Sequence, residues 1–320
     1  MRRPFVLVAM LLAVSLLAPT AVAQDASPGA SPVAGDCVAP EIPAGTPTPM
    51  EEEASPAVGD PLEATPEGAV EIVPEGSPEI PSGEPALDDV VAAVEAAVEN
   101  AINCLGVGDY LAFASLHTPA GLLEECDTTN VYDGPACFGD IPPITNSVVS
   151  DVRDHEDGRV SADLVLRFGS FLIHERQFFV VGDDGTYLLD LSPDLPVDVP
   201  EGATVVDGEL ADYAFVLDQT SAPAGDIAFD VTNTGEYPHE IVVLQLPEGV
   251  TVEALLGDES LFAQVQFLGF TFAEPGQTAS SLVLVDVAPG TYTLVCFVDV
   301  PEGIPHVMRG MVLEFEVTAS

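Results

Sequence analysis

The 320-residue chain carries 53 acidic side chains against seven arginines and no lysine, a formal net charge of −46. A field of that sign repels nucleic acid and anionic membranes, so neither is an expected partner; it favours solubility, would draw a basic partner, and fits adaptation to salt or to an acidic exterior. Hydrophobic residues make up 47% of the sequence, enough for packed cores, and the length allows about two domains.

Arg2 and Arg3, the apolar run from Phe5 to Leu17 and the small residues Ala21-Val22-Ala23 before Gln24 read as a secretory signal over 1–23. The run is short for a membrane span, and no later stretch is long and apolar enough for one. An uncleaved anchor is the alternative. The expected location is therefore secreted or extracytoplasmic, with no integral membrane span after cleavage. Residues 24–85 are rich in Pro, Glu, Ala, Ser and Gly and show no helix or strand period, which predicts a disordered, extended linker.

Five cysteines in an exported chain, Cys37, Cys104, Cys126, Cys137 and Cys296, leave one unpaired or bridged to another molecule. Cys126 and Cys137 are close in sequence and are expected to pair. The remaining connectivity is open: Cys296 is a metal ligand, a buried free thiol, or a partner of Cys104.

Residues 86–197 open with an amphipathic helix. Leu87, Val91, Val94, Val98, Ile102 and Leu105 recur at steps of three and four, Asp88 and Asp89 suit its N-terminus, and Gly106 and Gly108 end it. Asp109–Leu116 reads as a second helix. After a loop holding Cys126 and Cys137, strands are predicted at 148–153, 159–168, 171–181 and 187–191, with turn signals between them. Helices followed by a meander predict an α+β domain. This element order resembles nuclear-transport-factor-2-like domains, in which a curved sheet wraps helices into a cone. The resemblance implies a binding or dimerisation module, hence a homodimer through this block, or an isomerase or dehydratase. Asp109, His117, His155 and His174 are the available acid–base residues. No spacing brings them together, so no catalytic residue is assigned.

Pro196–Ala203 reads as the interdomain linker. From there to the end (198–320), short strands punctuated by Gly and Pro are predicted at 213–218, 226–233, 239–246, 279–287, 291–298 and 311–317, with a helical insertion within 251–264. Ile227, Phe229 and Val231 alternate with Ala228, Asp230 and Thr232. This is the pattern of an all-β Greek-key sandwich.

The chemistry concentrates near the end of that sandwich. Cys296, His306, Met308 and Met311 combine soft sulfur with imidazole, a donor set that suits copper; a trigonal His₂Cys site with a weak axial Met requires one further His, and His239 is the candidate. Strand parity puts Tyr292, Leu294 and Cys296 on one face and Met311, Leu313, Phe315 and Val317 on the apolar face of the next strand. Met311 therefore ranks ahead of Met308 as the fourth ligand.

Asn233-Thr-Gly-Glu-Tyr-Pro-His239 resembles the first-ligand strand of plastocyanin-type cupredoxins, N-x-G-x-x-P-H, and His306-Val-Met-Arg-Gly-Met311 resembles their H-x4-M ending. The nine residues between Cys296 and His306 exceed the two of plastocyanins, whereas copper nitrite reductases also have a long loop followed by an H-V-x-x-G-M ending. The resemblance implies one type 1 (blue) copper held by His239, Cys296, His306 and Met311, electron transfer without catalysis, and a redox partner protein. Further copper centres would need further histidines, and the chain has five His in all with no His-x-His pair. The alternatives are a copper-binding carrier without redox function, a metal-free cupredoxin-like interaction module, and an enzyme housed in the cone.

Overall fold

The computed structural model describes residues 37–40, 42, 45, 83–139, 141–300 and 303–319. The expected signal and most of the expected linker lie outside the described residues. Where that linker is described, it is docked. Cys37 is bridged to Cys104, the Val38 backbone exchanges two hydrogen bonds with the Asn100 side chain (2.8 and 2.7 Å), and β1 (Glu84–Pro85) pairs with β2 (Ile144–Asp154).

Helix α1 (Asp88–Gly106) forms as its periodicity predicts and buries Val94 and Val98. It packs on Val152, Val160, Leu164 and Phe179 of the antiparallel meander formed by β2, β3 (Arg159–Phe168), β4 (Phe171–Val181) and β5 (Tyr187–Leu191). Leu87, assigned to the apolar face, is 70% exposed because it is the residue that precedes the first turn. α2 spans Tyr110–Ser115, with the Asp109 carboxylate accepting from Ala112 N–H. The expected loop around the second disulfide is largely helical. In α3 (Pro119–Cys126), Thr118 caps the Gly121 N–H and proline takes the first position. α4 (Gly134–Phe138) follows, and Cys126 pairs with Cys137 as expected.

The remainder is the expected β-sandwich. One sheet contains β6 (Thr204–Ala211), β7 (Ala214–Leu217), β9 (Gly225–Asn233) and β12 (Leu282–Val287). The other runs β11 (Gln266–Ala273), β10 (His239–Gln245), β13 (Gly290–Val295), β14 (Val312–Thr318) and β8 (Ser221–Pro223). A short helix, α5 (Val252–Gly257), occupies the expected insertion. Between the sheets Ile227, Phe229, Leu284, Ile241, Leu294 and Phe315 form the core. Each such fully buried side chain stabilises the fold by about 1.5–3 kcal/mol.

Three strands of the sandwich lie outside the sequence expectation: β6, β8 and β11. In β6 the inward positions Val206 and Leu210 are separated by Gly208, where a Cβ would strike Leu217 Cδ2 (2.5 Å); the missing side chain breaks the alternation. In β11 the break is Gly269.

The two blocks share one sheet, ordered β1-β2-β3-β4-β12-β9-β6-β7, with β5 also on β4. The junction is the pairing of Phe171 with Leu284, supported by Val285 N–H donating to Ser170 O (2.8 Å) and by an Arg167–Asp286 ion pair (3.0 Å). Phe171 also packs edge-on to Phe267. A Cβ at Gly269 would lie 2.7 Å from the Phe171 ring, so glycine there is what lets the second sheet approach. The linker expected at 196–203 has no regular structure. Its Val197 and Val199 cover Ala228, Val283 and Val285 on the outer face of the sandwich, which is why those outward residues are buried too.

Candidate metal centre

Four segments converge at one end of the sandwich. The first follows β9. Asn233, wholly buried, donates from Nδ2 to Tyr237 O and Ala273 O (both 2.8 Å) and accepts from Gly235 N–H (2.9 Å). This ties down the loop that delivers His239 to the start of β10. The second is the end of β13, which places Cys296 on the same core-facing side as Tyr292 and Leu294.

The third is the loop after Cys296. Residues 301 and 302 lie outside the described residues. Around them the chain doubles back: Val300 N–H donates to Ile304 O (3.0 Å), His306 N–H to Val298 O (2.9 Å) and Val307 N–H to Cys296 O (2.8 Å). The ladder compensates for the loop's length by returning His306 beside Cys296. His306–Arg309 forms a 3-10 turn ended by Gly310 at φ 97°, and Met311 N–H donates to His306 O (3.1 Å). The fourth segment is the β6–β7 turn, Asp212-Tyr213, with Tyr213 in the left-handed region at φ 64°.

His239, Cys296 and His306 are buried, and one donor atom from each lies within 4.8 Å of the others. His239 Nδ1 and His306 Nδ1 are 2.9 Å apart, and Cys296 Sγ is 3.4 Å from His306 Nδ1. Met311 is wholly buried in the same core cluster as Cys296, whereas Met308 is 64% exposed. The parity argument for Met311 thus agrees with its burial.

Burial holds the His239 pKa below the usual imidazole value, with Asp212 acting in the opposite direction. It lowers that of His306 too, helped by neighbouring His239. Burial pushes the Cys296 thiol up to about 12, so a thiolate there calls for a cation. His306 Nε2 is buried without a hydrogen-bond partner. Two neutral imidazoles facing each other beside a sulfur are a donor set that fits a soft or borderline metal ion.

Sequence reasoning missed four residues around this centre. Asp212 Oδ1 accepts from His239 Nε2 (3.1 Å). The Tyr213 ring stands edge-on to His306 with centroids 5.3 Å apart, and Arg309 lies 5.4 Å above that ring. Glu240, 2% exposed, accepts from Phe297 N–H (2.8 Å), and burial pushes its carboxyl up to about 7. A carboxylate directly after the candidate histidine, in a largely apolar strand, was the one available signal. Nothing in the sequence tied Asp212 to residue 239.

The acid–base residues of the first block stay apart. Asp109 is a helix cap. His117 Nδ1 donates to Phe113 O (3.0 Å), His155 Nε2 meets Ser161 Oγ (2.8 Å), and His174 Nδ1 donates to Pro196 O (2.7 Å).

No protein-family model matches the sequence, and no curated protein matches it. Among solved structures it is similar to dithionite-reduced auracyanin from the photosynthetic bacterium Roseiflexus castenholzii, at 23% identity over 37% of this chain and 99% of that one, TM-score 0.27. It is similar to auracyanin A, a "blue" copper protein of Chloroflexus aurantiacus, at 17% identity over 36% and 99%, TM-score 0.23. It is also similar to a multicopper oxidase from Pediococcus acidilactici, at 15% identity over 50% of this chain and 39% of that one, TM-score 0.25. Both blue copper proteins and oxidases thus stand among its structural neighbours. A nuclear-transport-factor-2-like relationship for residues 86–197 is not shown.

Proposed function

We propose that the chain is an exported electron carrier holding one type 1 copper through His239, Cys296 and His306, with Met311 as the weak axial ligand. The observation that carries this reading is the convergence of one nitrogen from each of two buried imidazoles and one buried thiol sulfur, from three separate segments, within 4.8 Å of one another. Copper would supply one-electron redox chemistry there. The chain's part is to hold the donors in one arrangement for both oxidation states. The Asn233 loop fixes His239, the β13 end fixes Cys296, and the backbone ladder fixes His306, so little needs to move when an electron arrives or leaves.

The other histidines favour a carrier over an oxidase. His117, His155 and His174 are each engaged inside the first block, and the described residues contain one cluster of metal-binding type. The two disulfides suit an oxidising compartment, and no described helix is long and apolar enough to cross a membrane. Residues 86–197 serve, in this reading, as an accessory binding or dimerisation unit of nuclear-transport-factor-2-like type, and a separate redox protein exchanges the electron.

Copper titration of the purified protein tests this. One equivalent of Cu(II) should give an intense thiolate-to-copper visible band and reversible one-electron cycling. A colourless copper complex would instead support a carrier without redox function, and no uptake at all would leave a metal-free interaction module.

A further inference from the structure

We propose that Asp212 is a positioning residue of this centre: its carboxylate, received on the β6–β7 turn, fixes the tautomer of His239 and lowers the reduction potential of the metal site. The inference rests on the copper reading for its second half only.

The geometry is over-determined. Asp212 Oδ1 lies 3.1 Å from His239 Nε2 and also accepts from Glu236 N–H (3.0 Å), so the carboxylate is pinned by the ligand's own loop. An oxygen with no proton to give requires the hydrogen on Nε2, which leaves the lone pair on Nδ1, the atom that faces His306 Nδ1 at 2.9 Å. Gly235 makes the approach possible. A Cβ there would collide with Asp212 Oδ1 and would lie 2.6 Å from His239 Nε2. The glycine of the Asn233–His239 loop therefore serves as a window through which an acid from the β6–β7 turn reaches the imidazole. Asp212 is only partly exposed, at 31% for its side chain, so solvent screens its charge incompletely. A carboxylate behind an imidazole ligand makes that ligand more basic and favours the more highly charged metal ion.

The test uses the full chain with three substitutions and one control. In the metal-free protein, nitrogen NMR should find His239 protonated on Nε2. Asp212→Asn keeps an oxygen acceptor and loses the charge; it should retain the visible band and raise the potential. Asp212→Ala should lose the tautomer preference and bind copper about ten- to a hundredfold more weakly. Gly235→Ala should behave as Asp212→Ala. Asp207→Asn removes one exposed charge from β6 away from the imidazole and should leave the potential where it was. Equal potentials in wild type and Asp212→Asn, or equal shifts in Asp212→Asn and Asp207→Asn, overturn the proposal. So does a metal-free protein with His239 protonated on Nδ1, a result that needs no copper. If the wild type takes up no copper while the tautomer is as expected, the electron-carrier reading fails and the positioning role stands.

Discussion

The Nδ1 atoms of His239 and His306 face each other across 2.9 Å, with the Cys296 sulfur 3.4 Å from the second. Two lone pairs at that separation are tolerated only with a shared proton or a shared cation. Cys296→Ser should therefore fold, because the site stays small and buried, yet lose the visible band completely. Copper should also raise the melting temperature of the wild type. Binding to the folded state alone is worth about 2.7 kcal/mol at a free concentration of a hundred times Kd. Retention of the intense band in Cys296→Ser would remove the thiolate from the site.

The two methionines make a paired test. Met311 is wholly buried and Met308 is 64% exposed. Met311→Leu conserves volume, so it should cost less than about 1.5 kcal/mol, while voltammetry shows a changed potential because the thioether is gone. Met308→Leu should change neither quantity. A potential that moves with Met308 and not with Met311 would reverse the ligand assignment.

Phe171 should be the single most costly side chain to remove at the junction of the two blocks. It pairs with Leu284, and its ring lies where a Cβ at position 269 would have to go. Phe171→Ala is expected to cost about 3–5 kcal/mol. Denaturant unfolding, followed by fluorescence and circular dichroism together, should pass from one transition to two. A small loss with coincident transitions would show that the shared sheet is not what couples the blocks.

His117 should make the first block sensitive to mild acid. Burial lowers its pKa from 6.5, outweighing the pull of Glu125 and of the Phe113 carbonyl. The unfolded chain then takes up the proton first as pH falls. The stability this group contributes is fully present above 6.5 and disappears as pH drops towards the lower, folded value. His117→Asn, whose amide can replace the donor to Phe113 O, should lose less stability than wild type between about pH 7.5 and about pH 5. His155, also held down by burial, remains in both chains and cancels. Identical losses would assign the acid response elsewhere.

Legibility in the sequence followed how local each constraint is. α1 could be read because its period is uninterrupted, β2–β5 because turn signals separate their strand-like runs, and Cys296 and Met311 because strand parity alone decides which way they face. β6 and β11 were obscured by Gly208 and Gly269, which sit inward where an apolar residue would complete the pattern. Those glycines answer to Leu217 and to Phe171, partners that no local window contains. Asp212 illustrates the same limit at the site. Its importance comes from a hairpin turn and a loop 27 residues away in sequence, and only the parallel pairing of β6 with β9 brings them side by side. Likewise the division near residue 197 is a change of composition, while the hydrogen-bonded sheet runs across it.

The bridge from Cys37 to Cys104 spans 67 positions and makes a covalent ring of everything between them. A single backbone cut between the two cysteines would open that ring without releasing a fragment, and the pieces would part only after reduction.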